Sequence, residues 1–196
     1  QQDPGLKITN VVFMGQGEPL NNYDNVFSAI KRINEDLNIG IRRITISTCG
    51  IADKIKKMCE NTLVPTLAIS LHCPDSALRR QIMPVENRFP LDTLKDSLKY
   101  YCDKTGKRVT LEYILIGNLT DTKEMAQKLC DYIKDLKCNI NLIPYNPICE
   151  GRYKKSAKKD TMAFKYLLES QGKKVTIRLE RGADIDAACG QLAGRE

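Results

Sequence analysis

Five times along the chain, a short run rich in β-branched residues is followed by a longer stretch with helical spacing. This alternation constrains the fold more than any other feature. Strands joined through helices lie parallel, and the crossovers between them are right-handed. The first run, Asn10-Val11-Val12-Phe13-Met14, leads through a Gly-rich turn to helical spacing from Asp24 to Asp36, where Val26, Ile30 and Ile33 recur. Arg43–Ser47 predicts a second strand and Ile51–Cys59 a short helix. A third strand, Pro65–Ser70, precedes a polar turn and helical stretches over about 75–82 and 91–103, the second opened by Pro90. Val109–Ile116 predicts the fourth strand, and Thr122–Leu136 a helix with Asp121 as its cap. Asn139–Ile143 predicts the fifth strand, followed by a helix near 160–171 and a last strand over Lys174–Leu179. So few units do not close an eightfold barrel. They suit an open, partial barrel or a doubly wound sheet, and in both a ligand sits beyond the C-terminal strand ends. The lysine-rich stretch Arg152–Lys159 is the nearest thing to a loop or linker.

A chain of 196 residues fits one domain with its own core. Its 28% charged and 42% hydrophobic residues belong to a soluble globular protein rather than a disordered one. No apolar run approaches the roughly 18 residues of a membrane span. The start, Gln1-Gln2-Asp3-Pro4-Gly5, has neither an initiator Met nor an apolar signal core, which suggests a piece of a longer protein. The net charge of +7 (31 basic minus 24 acidic residues) favours a polyanionic partner such as RNA. Eight cysteines, at 49, 59, 73, 102, 130, 138, 149 and 189, are scattered without C-x-x-C spacing, as expected for reduced thiols in a reducing compartment. His72 is the only histidine, which excludes a His-rich zinc site.

Polar motifs follow four of the strands. In Met14-Gly15-Gln16-Gly17-Glu18-Pro19, the glycines allow a sharp turn and close approach to a ligand, and Glu18 can accept from an ammonium group. On spacing alone an ordinary strand-to-helix turn fits as well. Ser47-Thr48-Cys49-Gly50 offers hydroxyls to a carboxylate or ribose, or simply an N-cap. Ser70-Leu71-His72-Cys73-Pro74 places a histidine at a strand end, as a general base, a ligand donor or a satisfied polar residue. Ile143-Pro144-Tyr145-Asn146-Pro147 is a stiff exit that fixes where Asn146 points, or a Pro-rich turn. The run Arg152-Tyr153-Lys154-Lys155, with Lys158 and Lys159, suits phosphates and a stacking base, or a solvated surface. Near the C-terminus Asp184 and Asp186 would raise the pKa of Cys189 while Arg178 and Arg181 would lower it, so chemistry alone does not single this thiol out. The arrangement is what weighs: four motifs after four strands converge on one rim of one sheet.

In this order the motifs resemble those of the radical S-adenosylmethionine (SAM) adenine methyltransferases RlmN and Cfr. Val12-Phe13-Met14-Gly15-Gln16-Gly17-Glu18-Pro19-Leu20 looks like that family's Gly-Glu-Pro segment. Arg42–Thr48, Ala68–His72 and Ile140–Pro147 are similar to its following strands, and Arg181-Gly182 through Asp184–Leu192 to its C-terminal signature. The resemblance implies an α/β fold, a partial (β/α)6 radical-SAM barrel with the first βα unit missing. Residues 1–196 would be the C-terminal portion of the core domain, with the cluster segment and a small accessory domain upstream. It further implies that Gly17, Glu18, Ser47, Ser70, Leu71, His72 and Asn146 bind SAM, and that Cys189 carries the methyl group. The family moves a methyl from one SAM to that thiol, then cleaves a second SAM to a deoxyadenosyl radical, which takes a hydrogen from the S-methyl group. The carbon radical adds to adenine. RlmN-like members act on carbon 2 in large-subunit ribosomal RNA and transfer RNA, Cfr-like members on carbon 8. Implied too are a 4Fe-4S cluster, a reduced flavodoxin-type electron donor, a monomer and a cytoplasmic location without membrane association. Lys154, Lys155, Lys158 and Lys159 are candidates for RNA contact.

One departure stands out: no C-x-x-x-C-x-x-C motif is present, so cluster ligands are expected upstream and the fragment alone is expected to be inactive. A degenerate homologue that binds SAM or RNA without chemistry, and an unrelated α/β phosphate-site enzyme, are the competing readings.

Overall fold

The structure, a computed structural model, describes residues 7–146 and 152–178. Its six strands are β1 (Val11–Phe13), β2 (Ile44–Thr48), β3 (Thr66–Ser70), β4 (Val109–Leu115), β5 (Cys138–Pro144) and β6 (Val175–Ile177). The helices are α1 (Tyr23–Asp36), α2 (Ala52–Met58), α3 (Ser76–Ile82), α4 (Leu91–Thr105), α5 (Lys123–Tyr132) and α6 (Lys158–Ser170). Every pairing is parallel, and the strands lie in chain order from β1 to β6.

That order decides between the two architectures. A doubly wound sheet reverses its strand order so that helices cover both faces. Here the order never reverses, so right-handed crossovers put every helix on the same face. The result is a partial barrel, with the other face of the sheet inside.

The side chains divide accordingly. Ile44, Ile46 and Thr48 of β2 are buried, while Thr45 and Ser47 between them are half-buried; in β5, Cys138, Ile140 and Leu142 alternate in the same way with Asn139, Asn141 and Ile143. Apart from Thr48 the helix-facing set is apolar, and it forms the core with Ile30, Met58, Leu94, Leu98, Leu129 and Leu168. Each such side chain contributes about 1.5–3 kcal/mol through burial. Tyr113 of β4 packs its ring 5.1 Å from that of Phe164 of α6. The inner face is by contrast rich in Thr, Ser and Asn.

Three expectations need correction. Asp121 does not cap α5: the cap is Thr122, whose side chain accepts from the Met125 amide. Asp121 instead accepts from the Asn118 amide at 2.8 Å and the Ser156 hydroxyl at 2.6 Å. Residues 152–159 do not form a plain linker either. Lys155 makes an antiparallel bridge to Ile116, and the Gly117 amide donates to the Lys154 carbonyl at 2.8 Å. A Cβ on Gly117 would lie 2.8 Å from the Lys155 carbonyl oxygen, so glycine is what lets the two segments meet. Finally, α5 ends at Tyr132 and α6 begins at Lys158, a few residues from the predicted limits. No described helix is long and apolar enough to cross a membrane.

Candidate functional site

The exit from β1 is fixed by two features. Gly17 has φ +85°, a left-handed conformation that glycine adopts without strain. Glu18 then caps the short 3-10 turn Pro19–Asn22: its Oε1 accepts from the Leu20 amide at 3.0 Å, and its Oε2 from the Cys49 amide at 2.7 Å. One carboxylate therefore ties the exit of β1 to the exit of β2. Each oxygen retains a second lone pair for a ligand donor.

Ser47 is the penultimate residue of β2, half-buried and in register with Ala68. The N-cap alternative fails here, because the cap of α2 is Ile51 and no side chain bonds the helix start. The Thr48 hydroxyl instead accepts from the Gly50 amide at 3.1 Å. Burial, with help from the hydrogen bond and charge of Glu18, pushes the Cys49 thiol up to about 12. It is an inert thiol at neutral pH.

The exit from β3 is the most contorted. Ser70 ends the strand. The Leu71 amide then reaches the Ile69 carbonyl at 2.8 Å, and the Cys73 amide the Leu71 carbonyl at 2.7 Å. Between them His72 has φ 60°, the left-handed region that side chains other than glycine enter rarely. The Leu71 side chain is fully buried, so only its backbone can face a ligand. The Nδ1 of His72 is buried without a hydrogen-bond partner. Burial, then the charge of Arg79, push the His72 pKa down to about 4, against the Glu112 backbone, which favours the charged ring. At neutral pH the ring is uncharged, able to donate and accept hydrogen bonds.

Behind these exits lies a clamp that the sequence reading missed. Arg79 of α3 is fully buried. Its Nε donates to the Leu71 carbonyl at 3.0 Å, its Nη2 to the Cys49 carbonyl at 3.0 Å, and its Nη1 to Glu86 Oε2 at 2.6 Å. The other Glu86 oxygen accepts from the Leu91 amide at 3.2 Å. A single guanidinium therefore holds the ends of β2 and β3 in place. No periodicity in Ser76–Ile82 marks Arg79 for burial; the one available signal was an acid seven residues on.

Asn146 lies two residues past the end of β5 and is half-buried. Lys154, Lys155, Lys158 and Lys159 are exposed, and the Ile116–Lys155 bridge sets their segment against the exit of β4. Gly17, Glu18, Ser47, Ser70, His72 and Asn146 thus lie at the C-terminal ends of their strands, with the lysines beside them. Cys189 and the rest of the C-terminal motif lie outside the described residues. The six described cysteines, at 49, 59, 73, 102, 130 and 138, are all free. Among the described residues no group of His, Cys, Asp or Glu is placed to hold a metal ion, so these residues do not fit an iron–sulfur cluster.

Known proteins resemble this chain along its whole length. The family model of the radical SAM superfamily matches residues 5–137. The "probable dual-specificity RNA methyltransferase RlmN" of Lachnospira eligens is 45% identical over 197 residues, covering 100% of this chain and 56% of that protein. Its counterpart in Clostridium perfringens is 47% identical over 190 residues, covering 96% of this chain and 55% of that protein. The chain thus spans about half the length of these curated relatives. A crystal structure of a radical SAM methyltransferase from Sphaerobacter thermophilus superposes with a TM-score of 0.92 at 36% identity, covering 95% of this chain and 55% of that one.

Proposed function

The chain belongs to the radical SAM superfamily, and from that premise we propose that it is part of an RNA methyltransferase that modifies carbon 2 of an adenosine in ribosomal and transfer RNA. The observation that carries this reading is the convergence of four motif-bearing strand ends on one rim of a parallel sheet. The likeness to the RlmN relatives supports the choice of RNA and of carbon 2. The superfamily uses SAM and a 4Fe-4S cluster; a cluster held by residues beyond those described would supply the electron for cleaving SAM.

In this reading the Gly17–Glu18 turn takes the methionine end of SAM. Ser47, Ser70, the Leu71 backbone, His72 and Asn146 line the remainder. His72, uncharged and held by its exit turn, serves as a hydrogen-bond partner rather than a cation. Lys154, Lys155, Lys158 and Lys159 hold RNA phosphates near the rim.

The methyl group travels by way of Cys189. An adenine carbon between two ring nitrogens is electrophilic, so direct transfer of a methyl cation equivalent is the wrong polarity. A thiolate is a good nucleophile. Its sulfur forms a bond to the SAM methyl as the sulfonium–methyl bond breaks, and S-adenosylhomocysteine leaves. Burial keeps thiols such as Cys49, Cys59 and Cys73 protonated, which makes them poor rivals for this role.

The test is an anaerobic assay of the full-length gene product with SAM, a reductant and RNA, read by mass spectrometry of nucleosides. 2-Methyladenosine is expected. 8-Methyladenosine would move the protein to the Cfr-like reading, and the absence of any methylated adenosine would leave only a binding role.

A further inference from the structure

The end of the sheet opposite the rim carries a row of cations. Arg43 closes the turn that feeds β2, and Arg108, Lys137 and Lys174 stand one residue before β4, β5 and β6; all four are exposed. The Lys137 carbonyl accepts from the Val109 amide at 3.1 Å and the Lys174 carbonyl from the Ile140 amide at 2.9 Å, so both residues still belong to the ladder. Side chains alternate along a strand, and the residues that follow, Val109, Cys138 and Val175, are buried in the core. Arg108, Lys137 and Lys174 therefore fall on the inner face. Arg108 Nη1 reaches across to β5, donating to the Cys138 carbonyl at 3.4 Å.

Nothing described in the fold balances these charges. Helix C-termini attract cations and lie at this end of the sheet, but the three inner-face side chains point away from the helices. The nearby acids are engaged elsewhere: Asp135 is held by Lys99 of α4 at 3.1 Å, and Glu60 accepts from the Tyr100 hydroxyl. Among the described residues none of the four cations forms an ion pair. Like charges even stand side by side. The register that pairs Val109 with Cys138 sets Arg108 opposite Lys137, which is destabilising on its own. Burial, then the charge of Arg42, lower the pKa of neighbouring Lys107. Clustered cations without acids are the footprint of a polyanion. The surroundings decide which one. Protein partners meet at an apolar, aromatic centre, and none of the large exposed hydrophobic side chains is among the residues that open β2 to β6. Thr45, Thr66, Thr110 and Asn139 lie there instead, hydroxyls and an amide that donate to phosphate oxygens.

We propose that the N-terminal end of the sheet is a second RNA-binding surface, where Arg43, Arg108, Lys137 and Lys174 hold backbone phosphates of an RNA whose target base lies at the rim. The inference rests on the RNA reading given above. The seven residues of β4 or β5 span roughly 23 Å. The two surfaces therefore engage parts of one RNA about that far apart. Phosphate contacts at that distance do not read the target base. They favour a large folded RNA over a short one that presents the same adenosine.

The experiment measures RNA binding against salt concentration for the full-length gene product and its variant carrying Arg43→Gln, Arg108→Gln, Lys137→Gln and Lys174→Gln. Fluorescence anisotropy follows two probes: a whole transfer RNA transcript, and a hairpin cut from it around the methylated adenosine, with a stem shorter than about 20 Å. With the transfer RNA the variant should lose up to about 3 in log–log slope and bind more weakly at low salt. The hairpin should bind both proteins alike. An unchanged slope with transfer RNA overturns the proposal. So does an equal loss with both probes, which would mark a general effect of charge rather than a second surface. Should the fourfold variant fail to fold, the Lys137→Gln, Lys174→Gln pair decides by the same comparison, with about half the change in slope expected. A wild-type protein that binds neither probe would instead remove the RNA reading, and this inference with it.

Discussion

Two buried glutamates meet opposite fates in this fold. Glu86, behind the rim, is fully buried, and both its oxygens are engaged, one by Arg79 and one by the Leu91 amide. Glu112, on the inner face, is nearly as buried, but only one oxygen accepts a hydrogen bond, from Asn141; the other has just the Arg178 guanidinium 3.8 Å away. The first pattern belongs to architecture, because a carboxylate with every partner inside the protein has nothing left to offer a ligand. The second leaves an acceptor without a hydrogen bond on the inner face. His72, with an orphaned Nδ1 on a left-handed backbone, falls on the side of Glu112.

The largest effect should come from breaking the satisfied pair. Arg79→Met leaves Glu86 buried and uncompensated and should cost about 3–5 kcal/mol of stability in denaturant unfolding. Replacing both residues with apolar ones of similar volume should recover much of that loss. A single substitution that costs almost nothing would break the contrast at its stronger end.

Glu112→Gln should behave differently in the same unfolding measurement. A folded-state pKa raised above the unfolded value means that ionisation above the carboxylate range disfavours the fold. Removing the charge should therefore leave stability at neutral pH within about 1 kcal/mol of wild type, or slightly higher. A loss as large as that of Arg79→Met would place both glutamates in the architecture.

A smaller, pH-dependent effect should appear at His72. Its folded pKa of about 4 lies below the ordinary value of 6.5. Between those values the unfolded chain binds the proton and the folded one does not, so stability falls as pH drops through the window. Replacement by asparagine, which tolerates the left-handed backbone, should remove that part of the acid sensitivity. Parallel stability–pH curves for wild type and His72→Asn between pH 6.5 and 4 would contradict the lowered pKa of the ring.

The smallest effect on the fold should come from the exposed lysines. Neutralising Lys154, Lys155, Lys158 and Lys159 should leave stability within about 0.5 kcal/mol. It should reduce the salt dependence of RNA binding by up to about 3 in log–log slope if all four neutralise phosphates. An unchanged slope would return them to plain solvated surface.

Much of this was legible in the sequence. β-Branched runs alternating with helical spacing fixed all six strands to within about two residues, because both signals are local. The rim motifs could be placed because each lies at or just past a strand end. Strand order was not legible, since partial barrel and doubly wound sheet share the same local pattern; only the pairing of β1 through β6 separates them. The Arg79–Glu86 clamp and the Glu112–Asn141 pair were not legible either. Both join residues on different elements, and nothing local distinguishes a buried charge from an exposed one. The Ser156 partner of Asp121 was hidden for the same reason, lying 35 residues away.

The account turns on whether the rim and inner face together hold SAM, and a crystal structure of the full-length protein soaked with SAM measures that directly. The methionine end should lie at the Gly17–Glu18 turn, with Ser47, Ser70 and His72 along the ligand. SAM bound on the helix-covered face or at the N-terminal strand ends would contradict the account.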